Sequence, residues 1–593
     1  MQKTYDPFVI PFAVGFIFIL IAFIVKLIKW TKALSHNEKI KIIKGFFSIN
    51  FFLAIKEIIL ESLLHRKIFK QNTILGFMHA SIAFGWFMLI LIGNLESRIY
   101  SGTEINPFWI PIFFDFFVHD KTGIPFYNIY AFLMDFFLLI VLTGILLANL
   151  KRFFPSLFKM KKTTKLRLGD KLALYSLWLI FPFRLFAESF TAGINKSGGF
   201  ITGTIGQYAA SVFDLTLPAY ISWWIYSLAL GIFFFTLPFS RYLHIPAEVI
   251  LILYRKFGIN SYNQLNGFAK LEIDSCSRCG ICIDKCQINF VTENTEVVPS
   301  YFLRNLRYSY PNENQTFSCL LCGRCEESCP VGININNIRL AVRNKINNYD
   351  NTFNYSYLPD IKVNKAKVAY FAGCMTHLTP KIIISMQNIF TKASIDWVFI
   401  DKNGGACCGR PLKLSGNFIA AEKLISFTKN LIINSEAEIL VTSCPICLKV
   451  FKEDYNLNIT ILHHSQFINK LINENKLKIS ESQKFNSLIY HSPCELGRGL
   501  NIYEEPYKVV NSIGNIKKTS FELNNSLCCG GSLSNTQMHD KQRDKITLDV
   551  INKLNLSDQD KIITACPLCK KTFSRFTDNE VIDIAEAVNK VTV

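Results

Sequence analysis

The placement of its cysteines constrains this chain more than any other feature. All 18 cysteines lie between Cys276 and Cys569 of the 593 residues, and each belongs to a repeated motif. Repeated CxxC spacings favour metal ligation by thiolates, whereas disulfide frameworks are typical of small secreted chains. The sequence therefore predicts metal or cluster centres in its second half and disfavours disulfides.

Two runs share the spacing CxxCxxCxxxC. The first contains Cys276, Cys279, Cys282 and Cys286, and the second contains Cys319, Cys322, Cys325 and Cys329. This is the two-cluster ferredoxin pattern, in which the fourth cysteine of each run binds the cubane [4Fe–4S] cluster of the other run. We expect one cluster on Cys276, Cys279, Cys282 and Cys329, and one on Cys319, Cys322, Cys325 and Cys286. Gln287 replaces the usual proline after the first run, which affects geometry and not the ligands. A pair of zinc sites is the alternative.

The chain from Lys367 onward contains an internal repeat. Each copy has one cysteine, then Cys-Cys-Gly, then Cys-Pro-X-Cys, and matching cysteines are 120 to 122 residues apart. The two sets are Cys374, Cys407, Cys408, Cys444 and Cys447, and Cys494, Cys528, Cys529, Cys566 and Cys569. Such constant spacing indicates duplication of one unit. Runs of β-branched residues lead into the cysteines, which predicts α/β domains with thiols at the carboxyl ends of strands.

The repeated motifs resemble the CCG cysteine-rich domain of heterodisulfide reductase, glycolate oxidase and anaerobic glycerol-3-phosphate dehydrogenase. The gaps between motif cysteines are 32 and 35 residues in the first copy and 33 and 36 in the second, as in that family. The resemblance implies that each five-cysteine set binds a non-cubane [4Fe–4S] cluster, where heterodisulfide reductase splits its substrate. Ligation by fewer cysteines, with one left as a thiol or zinc ligand, stays open.

Five apolar stretches in the first half are long enough to cross a bilayer, at about 20 residues each. They cover residues 8–26, 74–94, 126–150, 171–190 and 217–237. Segments 26–70 and 151–171 are basic, whereas 96–125 and 191–216 carry only Arg98, Lys121 and Lys196 as basic residues. The positive-inside rule then predicts a multi-pass protein of the inner (cytoplasmic) membrane, with the N-terminus outside and residues 241–593 in the cytoplasm. Segment 38–70 is interpreted as an amphipathic helix on the inner surface.

Two histidines lie at comparable depth near the cytoplasmic side, His79 in the second span and His244 at the end of the fifth. Imidazole in hydrocarbon is costly unless it binds something, so the pair predicts a bis-histidine haem b; hydrogen bonds to neighbouring helices are the alternative. The stretch PFSRYLHIPAEVILILYRK resembles the last span of the gamma subunit of respiratory nitrate reductase, a five-helix anchor with two haems. The resemblance implies a single haem here, because Leu89 and Tyr226 stand where that family carries its second ligand pair.

Other polar residues of the first half have weaker interpretations. His65 and His119 are read as ordinary residues of surface segments. Arg184 and Glu188 lie one turn apart in the fourth span, where either a quinone site or a structural ion pair would explain them.

The net charge of +19 does not indicate nucleic-acid binding, because the basic residues concentrate beside the predicted spans. No GxGxxG follows a predicted strand, which argues against a Rossmann fold for flavin or nicotinamide. We predict an oxidoreductase that carries electrons between a cytoplasmic partner and membrane quinone. Chains of this plan resemble membrane oxidoreductases that connect electron-transfer flavoprotein to menaquinone. The alternatives are an enzyme acting on a thiol/disulfide substrate at a non-cubane cluster, and an electron-transfer subunit of a larger dehydrogenase.

The predicted architecture is multidomain. A five-span α-helical transmembrane bundle covers residues 1–255, and an α-helical two-cluster ferredoxin module covers 256–350. Two α/β CCG domains cover 367–475 and 485–593. The expected cofactors are two cubane clusters, two non-cubane clusters and one haem b.

Overall fold

A computed structural model describes residues 7–101, 123, 125–160, 164–260, 264–347 and 361–592. The chain divides into two compact units. The first comprises residues 1–261, 265–281 and 329–333, and the second comprises 262–264, 282–328 and 334–593. The predicted ferredoxin module at 256–350 is therefore divided between the two units. The end of its second cysteine run belongs with the start of its first run.

The described part of the first unit is helical. Its α-helices are Val9–Lys32 (α1), His36–Phe46 (α2), Ile49–Ile58 (α3), Arg66–Gln71 (α4), Thr73–Ser101 (α5), Tyr127–Phe153 (α6), Leu168–Asn195 (α7), Thr202–Val212 (α8), Thr216–Thr236 (α9), His244–Lys256 (α10) and Gly267–Asp274 (α11). Short 3₁₀ turns cover Pro155–Phe158, Leu237–Phe239 and Arg241–Leu243. Helices α1, α5, α6, α7 and α9 are long and apolar enough to cross a membrane, which confirms the five predicted stretches as helices. Several run past the predicted ends, because the helical backbone continues through flanking polar residues such as Lys29 and Lys32.

Residues 36–71 form several short helices, so the single amphipathic helix predicted for 38–70 is wrong. Ser35 and Ser48 each accept a backbone N–H at the start of a new helix. A π-helical turn at Ile59–Leu63 follows α3, and His65 then takes a left-handed conformation with φ of 51°. N-caps and left-handed residues interrupt a helix whatever its apolar periodicity.

The second unit contains two four-stranded parallel sheets. The first has strands Val368–Phe371 (β1), Trp397–Phe399 (β2), Ile439–Thr442 (β3) and Thr460–His463 (β4) in the order β2-β1-β3-β4. The second has Phe485–His491 (β5), Gly514–Ile516 (β6), Lys561–Thr564 (β7) and Val581–Asp583 (β8) in the order β6-β5-β7-β8. The identical topology confirms the duplicated α/β fold predicted from the repeat. Strand β1 is buried along its whole length, as expected for parallel strands covered on both faces.

Helices precede, connect and cover these sheets. Those that precede β1 are Ile281–Lys285 (α12), which begins at the division between the units, Gln287–Thr292 (α13), Pro299–Tyr308 (α14), Glu313–Phe317 (α15), Arg324–Glu327 (α16) and Ile335–Asn347 (α17). The first sheet carries Cys374–His377 (α18), Pro380–Lys392 (α19), Arg410–Ser415 (α20), Phe418–Asn434 (α21), Pro445–Asp454 (α22) and His464–Asn473 (α23). The second carries Gly497–Leu500 (α24), Glu504–Ile513 (α25), Asp540–Leu554 (α26), Pro567–Phe573 (α27) and Ile584–Val591 (α28), with 3₁₀ turns at Glu481–Gln483 and Leu523–Asn525.

Candidate redox centres

The sheets place four cysteine motifs at the carboxyl ends of strands. Cys374 follows β1, Cys444 follows β3, Cys494 follows β5 and Cys566 follows β7. Because β1 and β3 pair in parallel, as do β5 and β7, the two motifs of each copy lie together at the carboxyl ends of the strands. Parallel α/β sheets form their binding sites at these carboxyl ends.

The first five-cysteine set lies together around β1 and β3. The Cys447 thiol donates a hydrogen bond to Sγ of Cys408 at 3.3 Å. Burial raises the pKa of Cys374 to about 11, and the nearby thiols of Cys444 and Cys408 contribute. Cys407 contacts Cys408 through its side chain, and this contact raises the pKa of the Cys407 thiol. The structure therefore brings all five predicted ligands of this copy into one group.

The loop that leads from β1 into this set is held by Gly373 and Asp401. Gly373 has a φ of +85°, and a Cβ atom there would lie 2.8 Å from Sγ of Cys447. Asp401, which is 1% exposed, accepts backbone N–H groups from Ala372 at 2.8 Å and Gly373 at 2.7 Å. Its carboxylate also bonds His377 and raises the pKa of that imidazole. Asp401 stands in no sequence motif and was therefore not predicted as a site residue.

The second five-cysteine set lines a small cavity of about 30 Å³ in the second unit. Cys494 contacts Cys528, and a hydrogen bond from Cys528 and another from Cys569 lower the pKa of Cys529 to about 6. Cys569 in turn contacts Cys566. This copy therefore also assembles all five of its predicted ligands.

The two sets differ in their access to solvent. Cys374 is exposed, whereas its counterpart Cys494 is half-buried and the other four thiols of the second copy are buried. The first copy therefore presents a thiol to molecules in solution.

The second cubane site is assembled within the second unit. Burial raises the pKa of Cys286 to about 12, and the nearby thiols of Cys319 and Cys322 contribute. Cys325 is also close to Cys319 and Cys322. The fourth cysteine of the first run thus lies beside the second run, as the two-cluster pattern predicts. Cys322 is also close to Cys494 and Cys528 of the second CCG copy.

Three cysteines of the other predicted cubane set lie in the first unit. Burial raises the pKa of Cys329 to about 12, and the nearby thiols of Cys279 and Cys276 contribute. Cys282 is assigned to the second unit.

The cysteine sets offer the type of ligand that iron–sulfur clusters take. All 18 cysteines are free thiols. Within the described ranges, no three His, Cys, Asp or Glu side chains are spaced to hold a single metal ion. Iron–sulfur clusters distribute their thiolate ligands over several irons, and sets composed of cysteine alone are the donors that such clusters take.

His79 and His244 line one cavity of about 590 Å³ in the first unit. Nδ1 of His244 donates to the Arg241 carbonyl oxygen at 2.8 Å, which leaves the lone pair of the neutral ring on Nε2. Nε2 of His79 is buried and has no hydrogen-bond partner among the described residues. Cys279, a predicted cubane ligand, lines the same cavity.

His65 also lines this cavity, so its reading as an ordinary surface residue is wrong. Its ring meets that of His79 edge to face, with centroids 5.5 Å apart. Nδ1 of His65 donates to the Glu61 carbonyl oxygen at 2.7 Å. The π-helical turn and the left-handed backbone direct the side chain inward, and no local pattern signals that combination. His119 lies outside the described residues.

A buried ion pair connects the first cysteine loop to the turn before His244. Arg278, between Cys276 and Cys279, pairs with Asp170 near the start of α7, and the two side chains are 4% and 1% exposed. Asp170 also accepts the backbone N–H of Arg241 at 2.7 Å. The carbonyl of that same arginine accepts from His244. Asp170 was not predicted as a site residue, and it directly precedes the fourth predicted span at 171–190.

Arg184 and Glu188 line a separate cavity of about 60 Å³ in the first unit. Nη2 of Arg184 lies 3.9 Å from Oε1 of Glu188. A water occupies about 30 Å³ in the liquid, so this space suits a few waters and is small for a quinone ring. Of the two alternatives for Arg184 and Glu188, a quinone site and a structural ion pair, the geometry favours the ion pair.

Comparisons with known proteins support iron–sulfur centres in the cysteine-rich part of the chain. Residues 368–452 and 488–574 match the family described as cysteine-rich domain (CCG), and residues 272–333 match the 4Fe-4S dicluster domain. The chain is a heterodisulfide reductase-like iron–sulfur oxidoreductase.

Relatives of this oxidoreductase match between about half and most of its length. One subunit of the fumarate reductase (CoM/CoB) of Methanothermobacter marburgensis is 23% identical over 54% of this chain and 71% of its own length. One subunit of the dihydromethanophenazine:CoB–CoM heterodisulfide reductase of Methanosarcina acetivorans is 23% identical over 53% of this chain and 91% of its own length. EtfAB:quinone oxidoreductase of Syntrophomonas wolfei is 19% identical over 88% of each chain.

Proposed function

We propose that this oxidoreductase transfers electrons between a cytoplasmic redox partner, an electron-transfer flavoprotein, and membrane quinone. The observation that carries the proposal is that Cys279 shares one cavity with His79 and His244. A predicted cluster ligand thus lies beside the two predicted haem ligands, within one unit. The similarity to an EtfAB:quinone oxidoreductase over 88% of the chain supports this choice of partners.

The residues present fit a haem b. The cavity of about 590 Å³ lies in the range of cofactor pockets. His244 has the backbone hydrogen bond that typically fixes a ligating imidazole, and His79 presents a buried ring nitrogen. Trp86 and Phe233 line its apolar part, while Arg241 supplies positive charge for propionates. A bound haem and bound clusters supply one-electron transfer, and the chain supplies ligands, burial and spacing.

Within the second unit, the thiols of the second run lie close to the second CCG set. The proposal therefore pairs the histidine cavity with the first cubane in the first unit, and the second cubane with the second CCG copy in the second unit. We place the histidine cavity in the inner membrane, with the N-terminus outside and the cysteine-rich part in the cytoplasm, from the basic segments 26–70 and 151–171.

The test uses full-length protein in detergent and compares His79→Ala with His36→Ala, a control at an exposed position on α2. We expect His79→Ala to lose the reduced b-type optical spectrum and quinone reduction by flavoprotein while keeping its iron and sulfide. His36→Ala should keep all of these. A b-type spectrum that survives in His79→Ala would contradict the ligand assignment, and absent flavoprotein-to-quinone transfer in the wild type would contradict the proposed function.

A second candidate function is thiol/disulfide chemistry at the first CCG copy. It is favoured by the exposure of Cys374. Substrate thiols that changed the EPR signal of this copy, and were turned over by the isolated protein, would favour this enzyme over the electron carrier.

A further inference from the structure

Gln287 departs from the ferredoxin pattern, and its side chain has a specific partner. The residue begins α13 directly after Cys286 and is 1% exposed. Its amide Nε2 donates to the carbonyl oxygen of Cys528 at 3.1 Å, and its Oε1 accepts the backbone N–H of Cys528 at 2.7 Å. One side chain therefore satisfies both backbone polar groups of a cysteine 241 residues away. Proline, which usually follows such a run, offers neither a side-chain donor nor an acceptor.

The two cysteines on either side of this contact belong to different predicted centres. Cys286 is a predicted ligand of the second cubane and lies beside Cys319 and Cys322. Cys528 is a predicted ligand of the second CCG centre and lies beside Cys494. Gln287 is thus the covalent neighbour of one ligand and the hydrogen-bond partner of the other.

The surroundings of the contact are apolar and closely packed. Ile288, Leu320 and Ile546 are buried in one cluster with Cys528. In such an environment a backbone N–H or C=O that loses its partner is costly, and hydrogen bonds are strengthened by the low local dielectric. The amide of Gln287 therefore fixes the position of the Cys528 backbone more firmly than a solvated contact would.

We propose that Gln287 is a positioning residue that holds the second CCG centre against the second cubane and so sets electron exchange between them. The inference rests on the clusters of the proposed function. The step that this positioning serves is the transfer of one electron between the two centres. One centre is oxidised and the other is reduced, and no bond or proton is exchanged. Gln287 acts through Cys528 and is not itself a ligand.

The test compares full-length Gln287→Pro and Gln287→Met with Thr292→Ala, a control on the same helix whose hydroxyl bonds only the Ile288 carbonyl among the contacts described for it. Proline restores the usual residue of the pattern, and methionine keeps the length of glutamine without its amide. The readouts are iron and sulfide content, and the EPR line shape and power saturation of the dithionite-reduced cubane, which report its magnetic interaction with the CCG centre. The rate of electron exchange between the two centres is measured by freeze-quenching.

We expect both Gln287 variants to keep their clusters, to lose the magnetic interaction and to exchange electrons more slowly, while Thr292→Ala matches the wild type. An unchanged interaction and rate in both variants would overturn the proposal. Loss of the second cubane from both variants would also overturn it, because Gln287 would then serve cluster binding. Dithionite reduction needs neither flavoprotein nor quinone, so this result is separate from the test of the proposed function.

Discussion

Removing the Asp170 carboxylate should destabilise the first unit strongly, because the buried Arg278 cation would lose this ion pair. Both side chains are almost fully buried, and the carboxylate also accepts backbone N–H groups from Arg241 at 2.7 Å and Arg167 at 3.1 Å. Breaking a buried pair by removing one partner typically costs about 3–5 kcal/mol. We expect Asp170→Ala to fall in this range. Asp170→Asn should cost less, because its amide oxygen still accepts a backbone N–H.

A double-mutant cycle tests the cause of this loss. Arg278→Met removes the cation and keeps both the aliphatic stem and the left-handed backbone, whose φ is 52°. If the uncompensated charge dominates, Asp170→Ala combined with Arg278→Met will be more stable than Asp170→Ala alone. The free energy of unfolding is measured by SDS titration in mixed micelles. A double variant at least as unstable as Asp170→Ala would refute the reasoning.

The exposed pair of Lys553 and Asp549 provides the control. Its atoms lie 2.6 Å apart on successive turns of α26, and both side chains are partly exposed. An exposed helix pair contributes about 0.3–0.5 kcal/mol, so Asp549→Ala should have a small effect. Asp170→Ala should also weaken the b-type spectrum, since Asp170 holds the turn whose carbonyl orients His244.

Three further predictions concern other residues. Burial raises the pKa of Glu248 from 4.5 to about 8. The folded state therefore keeps a proton that the unfolded state releases, and the free energy of unfolding falls as pH rises from about 4.5 to 8. Glu248→Gln should flatten this pH dependence in thermal unfolding, and an unchanged slope would contradict the assignment. Gly373→Ala should release iron from the first CCG copy only, whereas Gly404→Ala, with a φ of +71° but open space, should not. In protein stripped of iron, Cys374→Ser should abolish alkylation at the exposed Cys374 thiol by a bulky maleimide, as peptide mapping would show, while Cys494→Ser leaves that site reactive.

The five apolar helices and the duplicated α/β fold could be predicted because their signals are local. A membrane span can be recognised from about 20 consecutive apolar residues, and the duplication can be recognised from the constant spacing of its cysteines. The cysteine positions at strand ends follow from the same short patterns. Helix ends and the breaks at Ser48 and His65 were missed, since capping and backbone strain are only weakly coupled to apolar periodicity.

The supporting residues of the candidate sites could not be predicted, because each acts across a long stretch of sequence. Asp170 is 108 residues from Arg278, and Gln287 is 241 residues from Cys528. Nothing local marks an aspartate or a glutamine for such a partner. Gln287 was recognised as a departure from the pattern, but its contact with the CCG copy required the structure.

These supporting residues share a physical role that bears on how the centres work. Asp401 holds the backbone before Cys374, Asp170 holds the backbone N–H of Arg241 in the turn before His244, and Gln287 holds the backbone of Cys528. In each case a buried polar side chain from a distant segment fixes the main chain next to a predicted ligand. Ligand identity and ligand position are therefore encoded by different residues. Substitution of a cysteine should remove a centre, whereas substitution of a supporting residue should displace a ligand and so change the properties of the centre.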